Sequence, residues 1–260
     1  MKLHGNTVLI TGGTSGIGYE LAAELSKLGN KVIVTGRDQA NLDATRQKLP
    51  DVHTIRSDVS DLSAIASLYQ QVVGEFPELN MLINNAGIMR KINLQTHESD
   101  LSDIVREIDI NLSGSIRMVM QFLPHLKTKS SAAIVNVSSG LAFVPLPISP
   151  IYSATKAAIH SFTQSLRLQL KNTNIKVIEL APPGTETPLF HGDFTAQDTG
   201  GVTPMPLKTL VRHAIAGLKK DRLEIRPGLA NILKLMSRVA PDFMVRQLGR
   251  SVGLMHAERD

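Results

Sequence analysis

Between Thr7 and Thr35 the chain leaves on one strand and comes back on another. A β-branched run, T-V-L-I-T, stops at Gly12-Gly13, and after T-S-G-I-G comes Y-E-L-A-A-E-L-S-K-L, apolar at helical spacing through Leu21, Leu25 and Leu28. Gly29-Asn30 supplies a stop signal, and K-V-I-V-T opens the second strand. Strand, glycine turn, helix and strand within the first 35 residues make a βαβ unit.

The alternation continues. The pattern predicts helix at 38–49, strand in V-H-T-I-R-S to Asp58, helix at 61–74, strand in M-L-I-N and one long helix over 99–127. Then come strand A-A-I-V-N-V-S, a helix through Tyr152 to about Lys171, strand I-K-V-I-E-L, helix at 207–219 and a last strand in L-E-I-R. This rhythm predicts an α/β fold, a Rossmann-type doubly wound parallel sheet with helices on both faces, in a single domain over 1–260. The core is 1–187. The Gly-, Thr- and Pro-rich stretch 188–206 reads as a substrate loop, and 229–260 as a helical tail.

In such sheets ligands bind beyond the carboxyl ends of the strands. Six polar or glycine-rich segments follow a strand's last apolar residue: Gly12–Gly18, Gly36-Arg37, Asp58, Asn84–Gly87, Ser138-Ser139 and Pro182–Thr187. They converge on one edge. The glycines of T-G-G-T-S-G-I-G let the backbone approach a pyrophosphate, and the following helix N-terminus offers free N–H groups.

Tyr152 and Lys156, four residues apart on one predicted helix, share a face. An ammonium beside a phenol favours the phenolate, so the tyrosine pKa is expected to fall toward neutrality and allow proton exchange with a substrate oxygen. Thirteen residues upstream, Ser139 offers a hydroxyl for the same oxygen.

Composition narrows the classes. The chain has no cysteine, so disulfides and thiolate metal sites are excluded. None of the eight histidines is spaced with other ligands like a zinc site, and no metal is expected. Aromatics are 4% and the basic residues are scattered, which argues against nucleic acid despite the net charge of +5. No run approaches the roughly 18 apolar residues of a membrane span, and the N-terminus has no signal-type apolar region. A cytoplasmic protein is the expectation.

Together, the glycine turn, N-N-A-G at 84–87, Ser139, Tyr152 and Lys156 resemble the short-chain dehydrogenase/reductase family from Thr7 to about Thr187. The resemblance implies that Gly12, Thr14, Ser15, Gly16, Ile17 and Gly18 form the phosphate-binding turn. Asp58 and Val59 would meet the adenine, and Asn85, Ala86 and Gly87 the nicotinamide ribose. It implies a catalytic tetrad of Asn111, Ser139, Tyr152 and Lys156, with Ser139 preferred to Ser138 by its spacing from the tyrosine. Tyr152 and Lys156 also contact the cofactor, and Pro182 and Thr187 would flank the nicotinamide.

In the family register Gly36 fills the position of the acidic residue that holds a ribose 2′-hydroxyl, and Arg37 follows it. A guanidinium there suits a 2′-phosphate, so NADP(H) is favoured over NAD(H), although Asp38 could reach the ribose after a one-residue slip. The sixth strand ends A-P-P-G, with Pro183 where the family has glycine, so the backbone leading to Thr187 must differ locally.

The implied reaction is reversible hydride transfer between nicotinamide and a carbonyl or secondary alcohol. Met89, Leu141, Phe143, Val144, Pro145–Pro150 and the loop after Pro188 would line the substrate pocket, whose apolar character suggests a hydrophobic or aryl ketone. The tail resembles that of the DltE-type members of the family and is expected to pack on its own chain or a second subunit. Family analogy suggests a homodimer or homotetramer through the helices near 99–127 and 150–171. Alternatives are a non-catalytic dinucleotide-binding sensor and a nucleotide-sugar epimerase or dehydratase, which share part of the pattern.

Overall fold

The computed structural model describes all residues except 97–99, 192–193, 196–197, 199–202 and 254–260. Strands β1 (Thr7–Thr11), β2 (Lys31–Gly36), β3 (Val52–Arg56), β4 (Leu79–Asn84), β5 (Ala132–Val137), β6 (Ile175–Leu180) and β7 (Glu224–Ile225) form one parallel sheet in the order β3-β2-β1-β4-β5-β6-β7. The order reverses between β1 and β4. Connections diverge to opposite faces there, which leaves a crevice at the carboxyl ends.

Alternation along each strand feeds two cores. Leu9, Ile33, Leu82 and Ile134 face one side, under helices α3 (Leu62–Glu75), α5 (Ser115–Lys127) and α6 (Pro150–Gln169), which contribute Leu68, Phe122 and Leu166. Val8, Ile10, Val32 and Ile83 face the other, under α1 (Gly16–Lys27) and α8 (Leu207–Lys219), which contribute Leu21, Leu25 and Val211. Helix α2 (Gln39–Lys48) covers the β2–β3 end and is capped by Asp38, whose carboxylate accepts from Asn41 N at 2.9 Å.

The helix expected over 99–127 is broken. Ser99 lies outside the described residues; a short α4 (Leu101–Ile104) is followed by a π-type turn, Ile108–Gly114, and then by α5. The cause is tertiary. A Cβ on Gly114 would stand 2.8 Å from the Val59 carbonyl, so the chain is pressed against the loop after β3. The Asn111 carbonyl, displaced from regular pairing, accepts the Ser115 hydroxyl at 3.0 Å.

Past β6 lie the short α7 (Pro188–His191), then α9 (Leu229–Val239) and α10 (Pro241–Leu248). Parts of the expected 188–206 loop, and 254–260 of the tail, fall outside the described residues. Only some of the apolar residues of α9 are buried. Ala230 and Leu233 are buried, whereas Ile232 and Val239 are 53% and 70% exposed, because α9 rests on the narrow 3₁₀ turn Gly140–Ala142. Among the described residues, no helix is long and apolar enough to cross a membrane.

Candidate active site

The crevice is floored by the glycine turn. Gly12 and Gly16 adopt φ of +63° and +53°, which side chains rarely tolerate, and a Cβ on Gly12 would lie 2.8 Å from Ala86 Cα. Gly18 sits inside α1, where a Cβ would collide with the Gly12 carbonyl at 2.4 Å. Asn85 braces the turn by donating to the carbonyls of Thr11 and Gly12 at 3.0 and 2.9 Å, and Thr11 Oγ1 accepts from the N–H groups of Asn85 and Ala86. Sequence reasoning gave Asn85 to the nicotinamide ribose; its Nδ2 braces the turn, and the residue also borders the crevice. Ser15 heads α1 with no side-chain cap among the described residues, so the helix's first N–H groups open into the crevice.

Two adjoining cavities run over this turn. One, about 220 Å³, is bounded by Thr14, Ser15, Arg37, Asp58, Val59 and Gly87. The other, about 170 Å³, is bounded by Gly16, Ile17, Asn85, Tyr152, Lys156 and Thr187, with Pro182 at its side. Gly12 and Ala86 border both. At the outer end Arg37 and Asp38 are exposed, Asp38 is committed to capping α2, and Arg56 donates to the Arg37 carbonyl at 3.1 Å. Asp58 turns inward and accepts from Ser60 N and Oγ at 2.9 and 2.7 Å. The glycine cradle, the open helix end and the guanidinium fit a dinucleotide phosphate chain.

At the inner end, Tyr152 and Lys156 are both buried, one turn apart on α6, with Lys156 Nζ 5.5 Å from the tyrosine ring centroid. Nζ donates to the Val137 carbonyl at 3.0 Å. Ser139 caps the 140–142 turn, accepting from Leu141 N at 3.1 Å, and its hydroxyl lies near enough to the Tyr152 phenol to favour the phenolate. Ser138 instead donates to Glu179 in the interior. Asn111, 1% exposed, bonds both Ile88 N and O at 2.8 and 2.9 Å and Thr155 Oγ1 at 3.2 Å. A Cβ built on Gly87 would lie between Asn111 Oδ1 and Lys156 Nζ, at 3.2 and 3.6 Å.

The expected fall in the tyrosine pKa is overturned. Burial pushes Tyr152 up to about 12, against a lowering hydrogen bond from Ser139, and the nearby Glu107 carboxyl adds to the rise. Burial also brings Lys156 down to about 8. Helical spacing reveals the partner but not the loss of water around both groups, and here desolvation wins.

A third cavity, about 130 Å³ and largely apolar, adjoins Ser139 and is walled by Met89, Leu141, Leu146, Phe190, Leu233 and Leu248. Phe143 and Val144, expected in this wall, are elsewhere. Val144 is core, and Phe143 turns toward His160, with ring centroids 5.0 Å apart, and toward Lys234 Nζ at 5.2 Å. Leu229, Leu233 and Leu248 come from the tail, which reads from its sequence as helical but without a destination. Pro183 is absorbed locally: its carbonyl accepts Thr185 Oγ1 at 2.8 Å, and Gly184 and Glu186 pair with Met205. Thr187 therefore still reaches the glycine turn, 3.3 Å from where a Gly16 Cβ would be.

Histidine spacing suggested no metal group, yet one trio gathers among the described residues. Donor atoms of His160, Glu179 and Glu224 lie within 4.8 Å of one another, drawn from α6, β6 and β7. Arg226 and Lys234 already occupy Glu224.

Residues 6–198 match the short chain dehydrogenase family. The chain is 42% identical over 250 residues to the uncharacterized oxidoreductase DltE of Bacillus subtilis, covering 95% of this chain and 98% of that one. A short-chain dehydrogenase from Sphingobium yanoikuyae in complex with NADPH superposes with a TM-score of 0.77 at 27% identity, covering 96% and 95% of the two chains. A short chain dehydrogenase/reductase from Burkholderia phymatum in complex with NAD gives 0.81 at 22% identity, covering 92% and 95%, and speaks for the fold alone.

Proposed function

The chain belongs to the short chain dehydrogenase family, and from that premise we propose that it is an NADP(H)-preferring reductase of a hydrophobic or aryl ketone, working reversibly on the corresponding secondary alcohol. The observation that carries this reading is the meeting of Tyr152, Ser139 and Lys156 where the dinucleotide crevice opens onto the apolar cavity. The nicotinamide, when bound, supplies the hydride.

The chain's own groups do the rest. Tyr152 keeps its proton at neutral pH and gives it to the carbonyl oxygen as negative charge develops there. Ser139 holds the same oxygen by a hydrogen bond, which strengthens as that charge grows. Lys156, charged below pH about 8, makes loss of the phenolic proton cheaper. Asn111 fastens Ile88, so that Gly87 and Met89 stand at fixed places on the cofactor and substrate sides.

Arg37 at the outer cavity, with Gly36 at the strand end and one carboxylate oxygen of the neighbouring Asp38 engaged in the α2 cap, supports a 2′-phosphate over a free 2′-hydroxyl. Exposed Met120 on α5 and Leu168 on α6 support a homo-oligomer through those helices. The test is NADPH oxidation by purified protein with a panel of apolar ketones. Turnover lost in Tyr152→Phe is the expected result. Tight NADPH binding with no turnover across the panel would favour a dinucleotide sensor instead.

A further inference from the structure

Behind Ser139 the sheet edge holds a charged group that hydride transfer does not use. Glu179 and Glu224 are register partners on β6 and β7, so two carboxylates stand side by side on neighbouring strands. Glu179 is 1% exposed; it receives the Ser138 hydroxyl and lies 2.7 Å from His160 Nδ1, whose other nitrogen meets Gln164 Nε2 at 3.0 Å. Like charges at this spacing repel unless cations answer them. Two do: Arg226, just past β7, and Lys234, from the middle of α9, both on Glu224.

Lys234 is only 15% exposed, and its Nζ also lies over the Phe143 ring at 5.2 Å. The helix that carries it is fitted to the turn after Ser139. A Cβ at Gly140 would come within 3.1 Å of Leu233 Cδ1 and 3.4 Å of Ala230 Cα. The helix thus approaches Gly140 as closely as a missing side chain allows, and the turn it touches is the one Ser139 caps. Leu229 and Leu233, on the same helix, wall the apolar cavity.

We propose that Lys234 is a positioning residue that latches α9 to β7 through the Glu224 carboxylate and to the end of the 140–142 turn through the Phe143 ring, and that this latch makes Leu229 and Leu233 the wall that selects extended apolar substrates. The selection rests on the reductase reading above; the latch does not. Arg226 stays on Glu224 when Lys234 is removed, so what the substitution takes away is the tie between α9 and β7 rather than the neutralisation of the carboxylate.

The experiment compares the full chain with Lys234→Met, Lys234→Arg and the double variant Glu224→Gln/Lys234→Met, each saturated with NADPH. Three quantities are read: hydrogen exchange of 229–239, NADPH affinity, and kcat and KM with butanone and with decanone. In Lys234→Met, exchange across α9 should rise about tenfold while NADPH affinity holds. KM for decanone should rise about tenfold with kcat nearly kept, and butanone should change little. Lys234→Arg should recover most of both effects, whereas the double variant, which lacks the latch altogether, should not. Unchanged exchange in Lys234→Met overturns the latch, as does an equal loss for both ketones. Should Lys234→Met fail to fold, the double variant decides: faster exchange across α9 supports the latch, and wild-type exchange overturns it. Faster exchange in Lys234→Met, with no turnover by the wild type, retains the latch and rejects the reductase.

Discussion

Lys156 Nζ points past the Tyr152 ring, 5.5 Å from its centroid, and spends a hydrogen bond on the Val137 carbonyl at the end of β5. The two groups are neighbours whose pKa values burial has driven apart, the phenol up to about 12 and the ammonium down to about 8.

That places the first titration on the lysine. Ketone reduction should hold steady at neutral pH and decline as pH rises through about 8, where Lys156 loses its charge while Tyr152 keeps its proton. A folded-state pKa below the unfolded value of 10.5 means that the unfolded chain binds more protons between these two values, so this lysine costs stability below pH 8 and the cost fades toward pH 10.5. Lys156→Met should be inactive yet melt no lower than wild type at pH 7. A kcat/KM profile without a limb near 8, or a marked drop in Tm for the variant, contradicts this account.

Gly12→Ala tests the crevice floor. The added methyl meets Ala86 Cα at 2.8 Å from a backbone with φ of +63°, so the turn must shift. A loss of roughly 1–3 kcal/mol in urea unfolding is expected, together with loss of NADPH binding. Binding at wild-type strength would show that the floor yields without consequence.

Arg37→Ala tests the choice of dinucleotide. A charge-assisted contact to a 2′-phosphate is worth about 1.5–3 kcal/mol, so NADPH affinity should fall about ten- to a hundredfold while NADH affinity stays within a factor of about two. Parallel fluorescence titrations with the two cofactors measure it. Equal losses for both would move the 2′ contact elsewhere.

Much of this was legible in the chain because local pattern and tertiary need agree. Val8, Leu9 and Ile10 read as a strand, and each found a core on its own side. The expectations that failed were decided by residues distant in sequence. Nothing in I-D-I-N-L-S-G announces a π-type turn, since its cause is Val59 pressing on Gly114. Phe143 reads as a pocket residue until Lys234 and His160, from other elements, claim its ring. The acidity of Tyr152 was misjudged for the same reason: its partner lies four residues away in the chain, but the atoms that exclude water are gathered from across the fold.

The sheet reverses its winding between β1 and β4, and the glycine turn, Ala86 and Thr187 meet over that seam. A molecule laid along it is touched by segments from both halves of the chain, so it acts as a staple across the fold's own midline. Occupancy is then written into heat resistance: a ligand held at a hundred times its Kd adds about 2.7 kcal/mol to the folded state. A cell rich in the right dinucleotide would keep this protein sturdier, and longer-lived, than a depleted one.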